Sequence, residues 1–352
     1  LKEGTVRLAD VAEAAGVSRG TASNVFNRPQ IVREEVRERV LETAQRLGYA
    51  GPDPRGRMLR AGKVNAIGVA GPWPLSYFFD DPFARLVMEG IGEVCGEAGA
   101  GISLISALDE RQVSWSIQSA LVDGFVLFCM GGGSRLVELT RERKLPFVAL
   151  DFAAGEAGVS RIWVDDMAGA RQAASHLLGL GHRDFAVLAL PALDEGRGPV
   201  AAPALTGGLY PGPRDRIAGY FEALAQAGVD TGQVPIYETD NDERTTRAGM
   251  EFLFSGARRP TAVLAMSDRM ALAALDWLSE RGIAVPGGVS VIGFDGVPEG
   301  ARSLPPLTTI AQPMLDKGRA AARMILDPEF RQRQIHMPLE LVVRGSTGVS
   351  PR

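Results

Sequence analysis

The chain has 352 residues, a formal charge of −4, 45% hydrophobic and 23% charged residues. That is a globular composition, and it excludes a disordered acidic chain and a protein that coats nucleic acid over its whole surface. No run of 18 apolar residues and no apolar N-terminal signal segment occurs, so neither a membrane span nor export is expected. Cys95 and Cys129 each sit in an apolar run. They make neither a disulfide framework nor a zinc site and read as small core residues in a reducing compartment. Charge is unevenly spread: residues 1–63 carry 12 Lys/Arg against 8 Asp/Glu, and the remainder 26 against 34. A small basic head on an acidic body suggests that only the head meets phosphate.

In chain order, Leu8, Val11, Ala12 and Ala15 fall at i, i+3, i+4 and i+7, one apolar face of a helix. Gly16 can end it in the left-handed conformation, Val17 plugs the turn, and Ser18 can cap a second helix. The second helix buries Ala22, Val25 and Phe26 and leaves Arg19, Gly20, Ser23 and Asn24 outward. Small residues inside and donors outside suit a DNA major groove, although an ordinary helical hairpin has the same spacing. A third helix from about 33 to 47 carries Val36, Val40, Ala44 and Leu47 on one face and ends at Gly48. Arg33 stands where a Ser, Thr or Asp cap belongs. Gly51-Pro52-Asp53-Pro54 cannot be helix interior, and residues 55–63 are short, basic and weakened as a helix by Gly56. That segment folds only when something holds it, or is simply a charged linker.

From Ala66 the pattern changes. Apolar runs of strand length at 66–70, 102–107, 124–130, 146–150, 162–165, 185–190, 234–238, 262–266, 289–294 and 308–310 alternate with amphipathic helical segments at 83–97, 134–143, 167–180, 214–226, 243–254, 268–280 and 314–326. Strands apolar on both faces predict parallel sheets covered by helices, and their number predicts two similar lobes with a ligand cleft beyond the strands' carboxyl ends. The expected division is a helix-turn-helix head at 1–50, a hinge at 51–63 and a body at 64–352. The body's first lobe takes 64–164 plus 313–341, and its second 165–312 plus 342–352. The loop 191–213, rich in Gly, Pro and Ala, is expected on the surface near the cleft mouth.

Polar residues cluster at predicted strand ends: Asp151, Arg216, Asp268, Asp295 and Gln312. Carboxylates and a guanidinium together can bind polyol hydroxyls in pairs. Asp268 also reads as the cap of the helix it precedes. Trp73, Tyr77, Phe78, Phe79, Asp81 and Phe83 crowd the loop after the first strand, and Tyr77 and Phe83 are the ligand-contact candidates. Arg244 is a weaker one, and His176 and His182 read as structural. Gly131-Gly132-Gly133-Ser134 matches neither a dinucleotide fingerprint nor a P-loop and reads as a turn. No Ser–His–acid set or metal cluster appears, so no enzyme, cofactor or metal is expected.

Taken together, Asp10-Val11-Ala12, Ala15-Gly16-Val17-Ser18, Thr21, Ser23, Val25 and Asn27, then Leu47-Gly48-Tyr49 and Leu59-Arg60 with Gly62, resemble the lactose-repressor (LacI-type) family of bacterial transcription regulators. In the body, Gly181-His182, Arg216-Ile217-Ala218-Gly219, Ser267-Asp268-Arg269-Met270-Ala271, Val289 to Asp295 and Pro305 to Ile310 extend the resemblance over essentially the whole chain. It implies a periplasmic-binding-protein-like body and a cytoplasmic, homodimeric repressor on a near-palindromic double-stranded operator. A small-molecule effector, sugar-like, controls it from the interlobe cleft. It implies DNA contacts from Arg19, Gly20, Thr21, Ser23, Asn24, Asn27 and Arg57, and a minor-groove wedge at Leu59. Arg19 suits guanine and Asn24 adenine, Gly20 contributes no side chain, and Thr21 and Ser23 suit phosphate. The implied effector contacts are Asp151, Arg216, Ser267, Asp295 and Gln312, with Ser267 standing where Asn is frequent. Gly56, Asp53 and one extra residue before the hinge depart from the family pattern. The alternatives are an exported sugar carrier or an enzyme on the same two-lobed body.

Overall fold

In the computed structural model, residues 6–51, 63–108, 110–128, 135–151, 159–192, 197–208 and 210–351 are described, and the chain separates into two units, Leu1–Val64 and Asn65–Arg352. Arg57 and Leu59 of the expected hinge, the turn at 131–134 and Cys129 lie outside the described residues.

The head holds three helices, α1 (Leu8–Ala14), α2 (Arg19–Asn27) and α3 (Glu34–Leu47). Val11, Ala12, Ala15, Ala22, Val25, Val40 and Ala44 form its core. Gly16 at φ +65° and Gly48 at φ +70° end α1 and α3, a backbone state that suits glycine. Arg33 precedes α3 without a side-chain cap. Val17 and Phe26 are half-buried rather than sealed, and Phe26 meets Tyr49 edge-on at 5.6 Å.

The body builds two sheets. The first uses β1 (Ala66–Gly71), β2 (Gly101–Ser106), β3 (Gly124–Phe128), β4 (Phe147–Leu150) and β5 (Ser160–Trp163), joined through α4 (Tyr77–Asp80), α5 (Pro82–Ala98), α6 (Glu110–Ser119) and α7 (Arg135–Glu142). The chain then crosses into α8 (Asp166–Gly179), β6 (Phe185–Ala189), β7 (Gly198–Pro199), α9 (Ala202–Thr206), α10 (Pro211–Gln226) and β8 (Ile236–Glu238). It continues through α11 (Glu243–Ser255), β9 (Ala262–Ala265), α12 (Asp268–Glu280), β10 (Ser290–Asp295), α13 (Pro298–Arg302) and β11 (Thr308–Ala311). After Gln312 it returns through α14 (Met314–Leu326) to β12 (Gln334–His336) and leaves again to β13 (Glu340–Val342). The strand orders are β12-β5-β4-β3-β1-β2 and β13-β11-β10-β9-β6-β8-β7. The first sheet is parallel throughout; the second is parallel inside, with antiparallel pairs at both edges.

Two expectations change. The stretch 191–213 is not simply a surface loop: its described part adds β7 to the sheet edge, where Pro199 is tolerated, and buries Leu205 in the core. The second return crossing falls before Glu340, not at 341, because Glu340 and Leu341 pair with β11. Close helix contacts fix the lobes internally. A Cβ on Gly90 of α5 would lie 2.1 Å from the Leu315 carbonyl oxygen, and one on Gly318 of α14 2.0 Å from that of Val87. Backbone therefore touches backbone where α14 crosses α5.

Candidate functional site

In the head, the Ser18 hydroxyl caps α2 by accepting from Thr21 N at 3.0 Å, and it lies 2.9 Å from the Thr21 hydroxyl. Asn27 Nδ2 donates to the Ser23 carbonyl at 2.9 Å and to its hydroxyl at 3.1 Å. Thr21, Ser23 and Asn27 are thus engaged within the helix. Arg19 and Gly20 are exposed and Asn24 is half-exposed. A Cβ on Gly20 would meet only Ser18 Oγ, at an ordinary 3.6 Å, so the fold does not require glycine there.

In the body, parallel strands place their carboxyl ends on one side, and the polar groups meet there. Arg216 is buried on α10. Its Nε donates to Asp166 Oδ1 at 2.7 Å, Nη1 donates to the Met266 carbonyl and lies 3.8 Å from Asp295 Oδ1, and its guanidinium covers the Phe294 ring at 3.7 Å. Gln312 Nε2 donates to Asp295 Oδ1 at 2.7 Å, while its Oε1 accepts from Lys317 Nζ at 2.6 Å. Lys317 also donates to both Asp151 oxygens, at 2.6 and 2.8 Å. One chain of contacts, Asp166–Arg216–Asp295–Gln312–Lys317–Asp151, therefore runs from the second lobe to the first.

A second group lies beside it. Trp73 stacks on Tyr77 at 4.5 Å. Asn241 donates to the Tyr77 hydroxyl and to Asp81 Oδ2, each at 3.0 Å, and its Oδ1 accepts from Ser267 Oγ at 2.6 Å. Arg269 pairs with Asp80 and lies 3.8 Å from Asp81. Asp151, Asn241 and Asp295 all have positive φ (51°, 58° and 125°), so strained backbone concentrates at these strand ends.

The electrostatics follow from burial. Burial alone pushes Arg216 down, but the Asp166 and Asp295 carboxylates outweigh it and hold the guanidinium above its ordinary range. Burial raises Asp166 and Asp295 against the pull of Arg216. Burial also pushes Asp268 up to about 6.

Asp268 is not the cap it was expected to be. Ser267 caps α12, its hydroxyl accepting from Met270 N at 3.1 Å. Asp268 instead holds the crossover after β10, accepting from Gly296 N (2.7 Å), Val297 N (2.8 Å) and the Thr309 hydroxyl (2.6 Å). Asp268→Ala is expected to remove about 3 kcal/mol of stability, and Asp268→Asn to retain most of it. A carboxyl raised in the folded state binds more protons folded than unfolded, so its contribution falls as pH rises from about 4 to about 6. Urea melts of wild type and Asp268→Asn across that window should differ in slope; parallel curves contradict the assignment.

Of the sequence candidates, Arg216, Asp295 and Gln312 are joined directly, Asp151 reaches them through Lys317, and Tyr77 and Ser267 meet through Asn241. Phe83 is half-buried, with its ring 5.5 Å from Lys317 Nζ. Phe78 belongs to the core, Phe79 is 68% exposed, and Arg244 lies on the surface 3.8 Å from Asp240. His182 is buried between Thr261, Ser290 and the Gly348 carbonyl, and His176 meets Thr347, so both are structural. Sequence reasoning missed Lys317, Asp166 and Asn241 as site residues. The Lys317 signal was available: with Met314, Ala321 and Met324 it occupies the apolar face of α14, where a lysine is out of place. Asp166 was hidden behind Asp165, which caps α8 by accepting from Ala168 N at 2.9 Å.

A cavity of about 600 Å³ lies elsewhere, between β7, β8, α10 and α11, lined by Pro199, Phe221, Val234, Ile236 and Phe252 among others and by no charged side chain. Convergent polar groups mark a ligand site better than volume does, so the strand-end cluster is the stronger candidate. Among the described residues, no helix is long and apolar enough to cross a membrane, and no group of three His, Cys, Asp or Glu could hold a metal ion.

Comparison with known proteins assigns both units. Residues 7–51 match the family described as bacterial regulatory proteins, lacI family, and residues 174–347 match the periplasmic binding protein-like domain. The HTH-type transcriptional regulator Rv3575c of Mycobacterium tuberculosis is 39% identical over 350 residues, covering 98% of this chain and 97% of that one. The HTH-type transcriptional repressor PurR of Vibrio campbellii is 30% identical, covering 96% and 97%. Among solved structures, the complex of the transcriptional regulator CelR with cellobiose superposes with a TM-score of 0.68 at 28% identity, covering 97% of this chain and 99% of that one. The relatives are transcriptional regulators rather than enzymes.

Proposed function

This chain belongs to the lacI family of bacterial regulatory proteins and is a transcriptional regulator, and we propose that it is a repressor that binds a near-palindromic operator as a homodimer and answers to a sugar-like effector in the interlobe cleft. The observation that carries the effector reading is the contact chain from Asp166 to Asp151, which joins both lobes and whose carboxyl and guanidinium groups can share a hydroxyl. The named repressor among the relatives and the cellobiose bound to CelR favour the same reading.

On DNA, Arg19 is assigned to guanine and Asn24 to adenine, with Thr21, Ser23 and Asn27 holding the helix that presents them. Arg57 and Leu59 act in the hinge, Leu59 as a wedge in the minor groove. The effector contacts are Tyr77, Phe83, Asp151, Arg216, Ser267, Asp295 and Gln312. Ligand changes the angle between the lobes, shifts the dimer interface and biases hinge folding, a coupling of about 1–3 kcal/mol. The protein acts in the cytoplasm, on the nucleoid.

Selection of bound duplexes from a random pool tests this. It should return a site with two-fold symmetry, and Arg19→Ala should relax one base position in each half-site at a cost of about 1–3 kcal/mol. Selected sites without symmetry, or no enrichment at low salt, refute the operator reading.

A further inference from the structure

Each cation of the strand-end cluster already faces a carboxylate. Arg216 lies between Asp166 and Asp295. Lys317, with no exposed surface, gives its ammonium hydrogens to the two Asp151 oxygens and to Gln312 Oε1. Arg269 faces Asp80 and Asp81. These five carboxyl groups outnumber the three cations, so none of the three cations lacks an acidic partner. Burial raises Asp295 and Asp166, and neighbouring carboxylates add to it, Asp268 and Asp81 for the first and Asp151 for the second.

A hydroxyl can enter such a cluster without breaking an ion pair. It donates to a spare carboxylate lone pair and accepts from a spare guanidinium N–H. A phosphate dianion must either displace a carboxylate or lie beside several of them at low dielectric, where like charges repel strongly. A lysine on the apolar face of α14 has a function in this setting. Without it Asp151 would add another uncompensated negative charge; without Asp151 its ammonium would face the cleft as an anion site.

We infer that Lys317 is a specificity determinant: with its ammonium committed to Asp151 and Gln312, the described residues of the cleft present no unneutralised cation, and the site takes uncharged polyhydroxy ligands and refuses their phosphate esters. The inference rests on the reading of the cleft as the effector site.

Calorimetric titration of the full chain tests it with cellobiose, with ribose against ribose 5-phosphate, with glucose against glucose 6-phosphate, and with inorganic phosphate. A neutral sugar should bind at least about tenfold more tightly than its ester, and inorganic phosphate should give no heat. Asp151→Asn uncovers Lys317 and should reduce the discrimination by at least about tenfold. Should that variant fail to fold, Asp295→Asn, which relieves the field at Arg216, should shift it in the same direction. An ester that binds as well as its parent sugar overturns the inference and leaves the polyol reading standing. Wild-type protein that binds no neutral sugar of the set at millimolar concentration overturns both. Unchanged discrimination in the folded carboxamide variants overturns the role of Lys317.

Discussion

Arg216→Ala is expected to abolish the ligand response and to lower the stability of the body by about 3–5 kcal/mol, while operator affinity in the absence of ligand stays near wild type. The large stability effect arises because the guanidinium is the cation that Asp166 and Asp295 face at close range, and both carboxylates stay buried when it is gone. Each is already raised by burial against the pull of Arg216. Removing that pull raises both further. A carboxyl whose folded pKa exceeds its unfolded value binds more protons in the folded state, so stability falls as pH climbs from about 4 toward the raised native value. The deficit of the variant should therefore widen as pH rises and narrow in acid. Urea melts of both proteins at several pH values check this, with a mobility-shift assay for the operator arm. A deficit independent of pH contradicts the electrostatic account, and a preserved ligand response contradicts the assignment of Arg216 to the effector.

Gly318→Ala is expected to destabilise the body by about 3 kcal/mol or more, although it adds a single methyl group. That carbon would stand 2.0 Å from the Val87 carbonyl oxygen and 2.9 Å from Ile91 N. Both neighbours are backbone, so no side chain can swing aside, and α14 must move away from α5. Lys317 is the preceding residue, so ligand affinity should fall together with stability. Gly92→Ala on α5 is the control, since a Cβ there meets nothing within 4 Å. It should be neutral or stabilising by up to about 1 kcal/mol, as expected for Ala over Gly in a helix. Thermal melts should show a large fall for Gly318→Ala and no change or a small rise for Gly92→Ala; similar shifts would show that the glycine contact does not hold the helices together.

Much of this was legible in the sequence because it is written in local periods. The face formed by Leu8, Val11, Ala12 and Ala15 and the left-handed glycines Gly16 and Gly48 required no tertiary information. The ten apolar runs also emerged as strands of two largely parallel sheets. The ten-residue helix α6 was not among the expected helical segments, and three of the shortest strands were not legible. β7, β12 and β13 are two or three residues long, too short for periodicity, and form only because a neighbouring strand offers hydrogen bonds. Ser267 and Asp268 show a second limit: adjacent residues can both cap a helix, and packing against Gly296, Val297 and Thr309 decided which one was drawn elsewhere.

The sequence by itself determined the two-part organisation, the helix that presents Arg19 and Asn24, and the residue types at the strand ends, because each depends on spacing along the chain. Only the tertiary structure decided which of those residues meet. Asp151 and Lys317 lie 166 positions apart, and Arg216 and Asp166 fifty. Lys317 read locally is a polar interruption of an apolar helix face. It becomes part of the candidate site because the chain recrosses between lobes after Gln312 and sets α14 where Lys317 reaches Asp151, just past the end of β4.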